Sequence, residues 1–330
     1  MVEPILSVRG LQTRFFGTEG TVRAVDGVDF DVYEGRTLGV VGESGCGKSV
    51  TARSVLGIVD RPGKVVGGEA WLTRADGSRV DLFRLPEADM RKVRGREIAL
   101  VFQEPMASFS QHYTIGNQIA ESILLHMGVD EAAARKRAIE LLDMVGVPQP
   151  DRRVDEYPFQ LSGGLRQRVM IAMALACDPR VLIADEPTTA LDVTTQAQIL
   201  DLLRHLQQQR GLAIILITHD MGVIAEMAHD VAVMYLGRAV ETGPVADIFA
   251  RPQHPYTRAL LRSIPTVMAK PRTRLPTIAG SIPHPFNRPQ GCAFNPRCSE
   301  SLGAVCAAHE PPAVTADGHE VRCFIHGGQP

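Results

Sequence analysis

The sequence predicts an α/β protein in which helices flank a parallel β-sheet that carries a phosphate-binding loop. Two observations lead to this fold class. Residues 42–49 read Gly-Glu-Ser-Gly-Cys-Gly-Lys-Ser, which fits the pattern G-x-x-x-x-G-K-[ST] without a mismatch. Elsewhere, short apolar runs such as residues 181–184 end in polar residues. That pattern is typical of buried strands whose carboxyl ends carry the chemistry of a parallel sheet.

The residues around the loop provide the setting that a phosphate site needs. Residues 37–41 have strand character, and residues 50–58 have a helical pattern. In a strand–loop–helix unit, the backbone N–H groups of the turn and the helix N-terminus point at a bound anion. We expect Lys48 to reach the β- and γ-phosphates and the Ser49 hydroxyl to hold Mg²⁺. The expected ATP-contacting set is Gly42, Glu43, Ser44, Gly45, Cys46, Gly47, Lys48, Ser49 and Val50.

Cys46 occupies one of the variable positions of this loop. Because the loop binds phosphate through backbone N–H groups, a cysteine side chain is tolerated there. Its closeness to a helix N-terminus and to Lys48 predicts a lowered pKa and a reactive thiolate.

An acidic pair, Asp185 and Glu186, follows the strand-like residues 181–184. Asp185 is expected to orient the Mg²⁺ shell, and Glu186 to position or deprotonate an attacking water. A strand with a solvated acidic end would give the same pattern, so the pair alone does not establish hydrolysis.

A second glycine pair begins another predicted helix. Residues 161–168 read Leu-Ser-Gly-Gly-Leu-Arg-Gln-Arg, and apolar residues follow at helical spacing. Ser162 is a natural N-cap, so Gly163 and Gly164 would present bare N–H groups to a second phosphate.

With these segments in this order, the chain resembles the ATPase subunits of ABC transporters, whose signature is similar to Leu-Ser-Gly-Gly-Gln. Leu165 stands where glutamine is most common. The resemblance implies a metal and water contact for Gln103, a nucleotide contact for Asp192 in the family's D-loop, and a γ-phosphate contact for His219. The predicted Mg²⁺ set is therefore Ser49, Gln103 and Asp185.

The resemblance also implies that adenine stacks on an aromatic side chain upstream of the phosphate loop. Phe15 fits that position best, with its neighbour Phe16 as the alternative. One of the two is expected to be core packing, as aromatic side chains usually are.

The last third of the chain indicates which subfamily of ABC ATPases it resembles. Residues 254–261 read His-Pro-Tyr-Thr-Arg-Ala-Leu-Leu, which resembles the start of the C-terminal region of dipeptide and oligopeptide importer ATPases. Residues 108–111, Ser-Phe-Ser-Gln, depart from the Ser-Leu-Asn-Pro usual in that subfamily. The resemblance implies a second ATPase subunit (a copy or a paralogue), two transmembrane permease subunits and, indirectly, a solute-binding protein.

The same resemblance divides the chain into segments. Residues 1–103 and 179–245 would form the nucleotide-binding core with an antiparallel β subdomain, and residues 104–178 a helical subdomain. Residues 246–330 would form a small, irregular C-terminal region with a metal site.

Composition bears on partners and location. The net charge of −2 gives no support to a nucleic-acid partner. No apolar run approaches the roughly 18 residues that cross a bilayer, and residues 1–4 do not resemble a signal peptide. We expect a protein at the cytoplasmic face of the membrane. The alternative class is a soluble ABC ATPase acting on nucleic acid or ribosomes.

Four of the six cysteines lie in the C-terminal region, with the spacing C-x5-C-x7-C-x16-C. A cytoplasmic location disfavours disulfides, which leaves an iron–sulfur cluster, zinc or free thiols. Related importer ATPases carry a similarly placed set that binds a four-iron, four-sulfur cluster, and zinc is the alternative. The candidate ligands are Cys292, Cys298, Cys306 and Cys323.

Overall fold

The computed structural model describes residues 3–264, 277–316 and 318–327. The chain divides into two compact units. The first, here called the helical unit, comprises Met1–Leu6, Val32–Arg36 and Leu72–Ile217. The second, here called the loop unit, comprises Ser7–Asp31, Thr37–Trp71 and Thr218–Pro330.

Twelve strands and twelve α-helices lie in the described residues. The strands are β1 (Leu6–Gly17), β2 (Gly20–Val32), β3 (Thr37–Val41), β4 (Gly63–Thr73), β5 (Arg79–Asp81), β6 (Ile98–Val101), β7 (Val181–Asp185), β8 (Ala213–Thr218), β9 (Asp230–Tyr235), β10 (Arg238–Pro244), β11 (Val314–Ala316) and β12 (His319–Val321). The helices are α1 (Lys48–Val55), α2 (Glu87–Val93), α3 (Pro105–Ser108), α4 (Ile115–Met127), α5 (Glu131–Met144), α6 (Pro150–Arg153), α7 (Gly163–Ala174), α8 (Val193–Arg210), α9 (Met221–Met227), α10 (Val245–Ala250), α11 (Pro255–Arg262) and α12 (Ala304–Ala308).

The loop unit combines parallel and antiparallel pairing. Its strand order is β11-β12-β10-β9-β3, in which β3 and β9 are parallel and the remaining pairs antiparallel. Strands β2, β1 and β4 are neighbours in a separate sheet. Leu236 and Gly237 both have positive φ, at 43° and 81°, in the turn between β9 and β10. Two such residues suit the twist of a tight hairpin, so Leu236-Gly237 between two apolar runs predicts a hairpin, and β9 and β10 form one.

The helical unit contains three parallel strands in the order β8-β7-β6, with α4, α5 and α7 packed against one another. The apolar spacing in residues 131–145 predicts a helix, and α5 matches it. Ala138, Leu141 and Leu142 are fully buried on its inner face, as 3.6-residue periodicity requires.

The C-terminal region contributes to the core of the loop unit. Its many prolines suggest that it can bury little, but Phe294 is only 3% exposed. The Phe294 ring contacts Tyr235 of β9 and Tyr256 of α11, each with centroids 5.3 Å apart. Irregular backbone therefore does not prevent this region from burying aromatic side chains.

No helix among the described residues has both the length and the apolar character needed to cross a membrane.

Candidate nucleotide-binding site

The phosphate loop connects β3 to α1 and requires glycine at its two ends. Gly42 has φ 156°, and a Cβ there would lie 2.2 Å from the Met234 carbonyl oxygen. Gly47 has φ 102°, and its Cβ would lie 2.3 Å from the Ala24 carbonyl oxygen. Real Cβ atoms do not approach that closely, so any other residue would move the backbone of the loop.

Lys48 is the first residue of α1 and is only 5% exposed. Its Nζ donates to the carbonyl oxygens of Gly42, at 2.8 Å, and Glu43, at 3.1 Å. The ammonium is thus held across the loop by the loop's own backbone. Ser49 and Val50 follow in the first turn of α1, where backbone N–H groups have no intrahelical acceptor.

The expected reactivity of Cys46 is wrong. Burial raises the pKa of its thiol, although the Lys48 ammonium, 3.9 Å from the sulfur, acts in the opposite direction. The side chain is only 2% exposed. Desolvation of a thiolate outweighs the nearby charge here, so Cys46 is an inert packing residue.

In the helical unit, β7 ends at the acidic pair. Asp185 is 4% exposed, and Glu186 has φ 47°, a conformation unfavourable for a residue with a side chain. The Glu186 Oε2 accepts hydrogen bonds from Gln103 Nε2 at 3.0 Å and Thr189 Oγ1 at 2.9 Å. The structure therefore brings Gln103 and Glu186 together, as expected for a pair that handles one water. Thr189, which sequence reasoning missed, also orients the carboxylate.

Two further predicted segments of this unit are helix N-termini. Ser162 caps α7, where its Oγ accepts from the Leu165 N–H at 3.4 Å, and both Ser162 and Gly163 are exposed. At Gly164 a Cβ would lie 2.8 Å from the Thr195 methyl group. Asp192 caps α8 by accepting from the N–H and hydroxyl of Thr195, which lower the pKa of its carboxyl.

Three more predicted residues lie in the loop unit. His219 directly follows β8 and is exposed. Phe15 is half-buried and its ring lies against Gly63, where an added Cβ atom would be 2.7 Å from the Phe15 Cε1 atom. Phe16 is 47% exposed.

The four C-terminal cysteines line one small cavity, together with His254 and Phe294. All four are free thiols. Burial raises the pKa of Cys323 to about 11, and the neighbouring Cys292 and Cys298 sulfurs act in the same direction. Across residues 3–264, 277–316 and 318–327, no three His, Cys, Asp or Glu side chains are arranged to hold a metal ion.

Two residues outside the predicted set contact the phosphate loop. The Glu43 N–H donates to the Tyr256 hydroxyl at 2.9 Å, and Arg297 forms an ion pair with the Glu43 carboxylate at 2.7 Å. Tyr256 belongs to the motif of residues 254–261, which indicates the C-terminal region and not a contact with the phosphate loop, and Arg297 belongs to no motif quoted above. The C-terminal region, although distant in sequence from every ATP motif, therefore contacts the phosphate loop.

Comparison with known families agrees with this geometry. Residues 25–189 match the family described as "ABC transporter", and residues 240–306 match "Oligopeptide/dipeptide transporter, C-terminal region". The chain belongs to the ABC transporter family. It is an ABC-type ATPase subunit with the C-terminal extension of the peptide-transporter branch.

Similar proteins extend over nearly the whole chain. The dipeptide transport ATP-binding protein DppD of Escherichia coli strain K12 is 47% identical over 320 residues, covering 97% of this chain and 96% of DppD. A putative peptide import ATP-binding protein of Brucella melitensis, BMEII0863, is 49% identical over 328 residues, covering 98% of this chain and 97% of that protein.

Solved structures show the same cassette fold, with antiparallel and mixed sheets and helices. A dimeric structure of MJ0796, a bacterial ABC transporter cassette, has a TM-score of 0.64 and 27% identity, covering 73% of this chain and 98% of that chain. CbiO1 from Clostridium perfringens, part of the ABC transporter complex cbiONQ, has a TM-score of 0.62 and 28% identity, covering 76% and 92%.

Proposed function

We propose that this subunit binds and hydrolyses ATP to power import of dipeptides, oligopeptides or a related solute. The observation that carries the proposal is the match of residues 240–306 to the peptide-transporter C-terminal region, together with the peptide-import names of the similar proteins. The alternative, an ATPase acting on nucleic acid or ribosomes, gains no support from these comparisons.

Individual residues are assigned the following roles in ATP hydrolysis. Lys48 and backbone N–H groups of residues 42–50 bind the phosphates, because the loop and the start of α1 present donors to an anion. The Glu43 N–H is not one of these donors, since it donates to the Tyr256 hydroxyl. Glu186 accepts the proton of the attacking water while Gln103 orients that water, and His219 contacts the γ-phosphate. Phe15 stacks on adenine, with Phe16 as the alternative.

Mg²⁺ fits the residues present. This ion keeps several waters and usually takes one or two protein oxygens plus substrate phosphates, so a cluster of three protein ligands is not required. The Ser49 hydroxyl, the buried Asp185 carboxylate and the Gln103 side chain are the proposed protein contacts of the ion and its waters. When bound, Mg²⁺ neutralises charge on the β- and γ-phosphates.

A partner cassette is part of the proposed mechanism. Ser162 and Gly163 are exposed at the N-terminus of α7, where they would meet the γ-phosphate bound by another ATPase subunit. Asp192 belongs to the same dimer-facing surface. The partner subunit is a copy or a paralogue, and two permease subunits would anchor the pair at the cytoplasmic face of the membrane. A solute-binding protein would deliver the cargo.

We propose the same segment boundaries as those expected from the sequence. Residues 1–103 and 179–245 form the nucleotide-binding core, residues 104–178 the helical subdomain, and residues 246–330 the C-terminal region.

For the four-cysteine cavity the proposed group is a four-iron, four-sulfur cluster, with zinc as the alternative. What supports a metal centre is that all four cysteines line one small cavity, since thiolates are ligands of both groups. Such a centre would convert the buried thiols to thiolates and cross-link the region.

Reconstitution tests the transport proposal. The chain, its partner ATPase, the two permeases and the binding protein are placed in vesicles, and peptide uptake is measured with ATP hydrolysis. We expect dipeptides or oligopeptides to be taken up and to stimulate ATP hydrolysis. Uptake of a nickel complex or an oligosaccharide but not of any peptide would overturn the peptide assignment, while leaving the ATPase assignment intact.

A further inference from the structure

Every polar group of Glu43, the second residue of the phosphate loop, has a protein partner. Its N–H donates to the Tyr256 hydroxyl at 2.9 Å, and its carbonyl oxygen accepts from Lys48 Nζ at 3.1 Å. Its two carboxylate oxygens accept from the Arg297 guanidinium at 2.7 and 3.1 Å. Two of these partners, Tyr256 and Arg297, belong to the C-terminal region, so this region fixes the position of a loop residue.

Burial and further hydrogen bonds hold Arg297 in its ion pair with Glu43. The Arg297 side chain is 4% exposed, and its remaining donors reach the Ala279 carbonyl oxygen at 3.0 Å and the Tyr235 hydroxyl at 3.4 Å. Burial lowers the pKa of Arg297, but the hydrogen bonds that its guanidinium donates to Glu43 and Tyr235 raise that pKa above its ordinary value. A bidentate arginine–carboxylate pair whose arginine is buried is more rigid than an exposed pair.

The ion pair also neutralises the negative charge that Glu43 brings into the phosphate loop. A carboxylate in a loop that binds a triphosphate has the same sign of charge as its ligand, and such juxtaposition weakens binding. Arg297 supplies the compensating positive charge from 254 positions away in the sequence. Arg297 also directly precedes Cys298, which lines the four-cysteine cavity.

We propose that Arg297 is a positioning residue of the ATP site, which neutralises and immobilises Glu43 so that the phosphate loop can accept a triphosphate. This inference rests on the proposed assignment of residues 42–50 to ATP. It predicts that the two members of the pair have opposite effects on ATP affinity, because removing Arg297 leaves a net negative charge near the phosphates and removing the Glu43 charge leaves a net positive one.

Isothermal titration of the full-length chain with Mg·ATP at low ionic strength measures these effects. Arg297→Met is expected to raise Kd about tenfold, a typical effect for one uncompensated charge in a partly buried site. Glu43→Gln is expected to lower Kd several-fold, and the double variant to return close to wild type. Arg251→Met, which removes the same charge from an exposed pair with Asp247, is the control and should leave Kd unchanged.

The outcomes separate the possible failures. Weaker binding in both single variants, without recovery in the double variant, would show that the pair only supports the fold and would overturn the proposal. Unchanged Kd for Arg297→Met would do the same. If Arg297→Met does not fold, Glu43→Gln alone decides by the sign of its effect. Failure of the wild-type chain to bind ATP would instead contradict the proposed function.

Discussion

At the scale of single residues, the catalytic assignment depends most on Glu186. Its carboxylate is held by Gln103 and Thr189, and its backbone adopts φ 47°, so both side chain and main chain are fixed before ATP arrives. A strained conformation of this kind costs about 1–3 kcal/mol and persists where the surrounding structure determines it. This geometry supports the proposed role of Glu186 as a preorganised base.

Glu186→Gln should therefore abolish turnover and preserve ATP binding. The amide keeps the shape and the hydrogen bonds but cannot take a proton, and loss of a general base typically costs about 10² to 10⁴-fold in rate. Steady-state phosphate release and ATP titration measure the two effects separately. Glu140→Gln, an exposed change on α5, is the matched control. ATPase activity near wild type for Glu186→Gln would remove Glu186 from the mechanism.

Burial makes the Cys46 thiol less reactive than its position in the sequence predicts. The sequence places its thiol beside a helix N-terminus and Lys48, but it cannot show that the sulfur is only 2% exposed. We expect maleimide to label Cys46 slowly at neutral pH, faster as the pH rises toward its elevated pKa, and rapidly in the unfolded chain. Peptide mapping by mass spectrometry follows the site. Fast labelling of the folded chain at pH 7 would contradict this assignment.

At the scale of elements, the predictable features are those whose cause is local. The hairpin of β9 and β10 follows from Leu236-Gly237, and α5 from apolar spacing. The helical pattern of residues 50–58 gives less accurate ends. Helix α1 begins at Lys48 because Gly47 is its cap, and ends at Val55, shortly before Gly57 turns the chain with φ 62°. Propensity does not determine such boundaries, because caps depend on backbone angles.

Long-range contacts could not be predicted from the same patterns. The Gln103–Glu186 hydrogen bond joins two recognisable motifs, so the resemblance to ABC ATPases was enough to expect a shared site. Arg297 has no motif of its own near any ATP segment, and only tertiary packing places it on Glu43. A contact between residues so far apart in sequence depends on the tertiary path of the chain, and a single sequence contains no local signal for that path.

Strand β1 contains both candidates for the adenine contact. Phe15→Ala and Phe16→Ala can be compared in their affinity for Mg·ATP and for magnesium tripolyphosphate, which has no base. Stacking of one base on an aromatic ring is worth about 1–3 kcal/mol, so we expect Phe15→Ala to weaken ATP at least fivefold and tripolyphosphate not at all. If Phe16→Ala alone shows this pattern, Phe16 is the stacking residue. Equal loss for both ligands would indicate that the replaced ring supports the fold.

At the scale of the whole molecule, the C-terminal region is joined to the ATP site within one unit. Tyr256, Phe294 and Tyr235 form a buried aromatic cluster, and Arg297 extends from the same segment to the phosphate loop. Loss of order in the C-terminal region would therefore loosen the phosphate loop. A metal centre among the four cysteines would stabilise the segment that holds Arg297, since ligand binding to the folded state alone adds directly to its stability.

The four-cysteine proposal predicts that protein purified without oxygen is brown and contains about four iron atoms per chain. Cys298→Ser should remove the colour and most of the iron, speed proteolysis of residues 277–327, and weaken ATP binding without abolishing it. Cys177→Ser, at a buried cysteine of the helical unit, is the matched control and should retain the iron. Colourless protein with one zinc would establish a structural zinc site, and protein without metal would leave free thiols.

Combining two variants tests whether the cavity acts through Arg297. Because Arg297 and Cys298 are consecutive, disorder at the cysteine is expected to reach the loop mainly by loosening the Glu43 ion pair. Cys298→Ser should then weaken ATP binding in the wild-type background but add little once Arg297 is already methionine, which is the non-additivity that a shared path produces. Titration with Mg·ATP gives the four dissociation constants. Fully additive effects would mean that the cysteine cavity reaches the phosphate loop by another route, such as the Tyr256 hydroxyl on the Glu43 N–H.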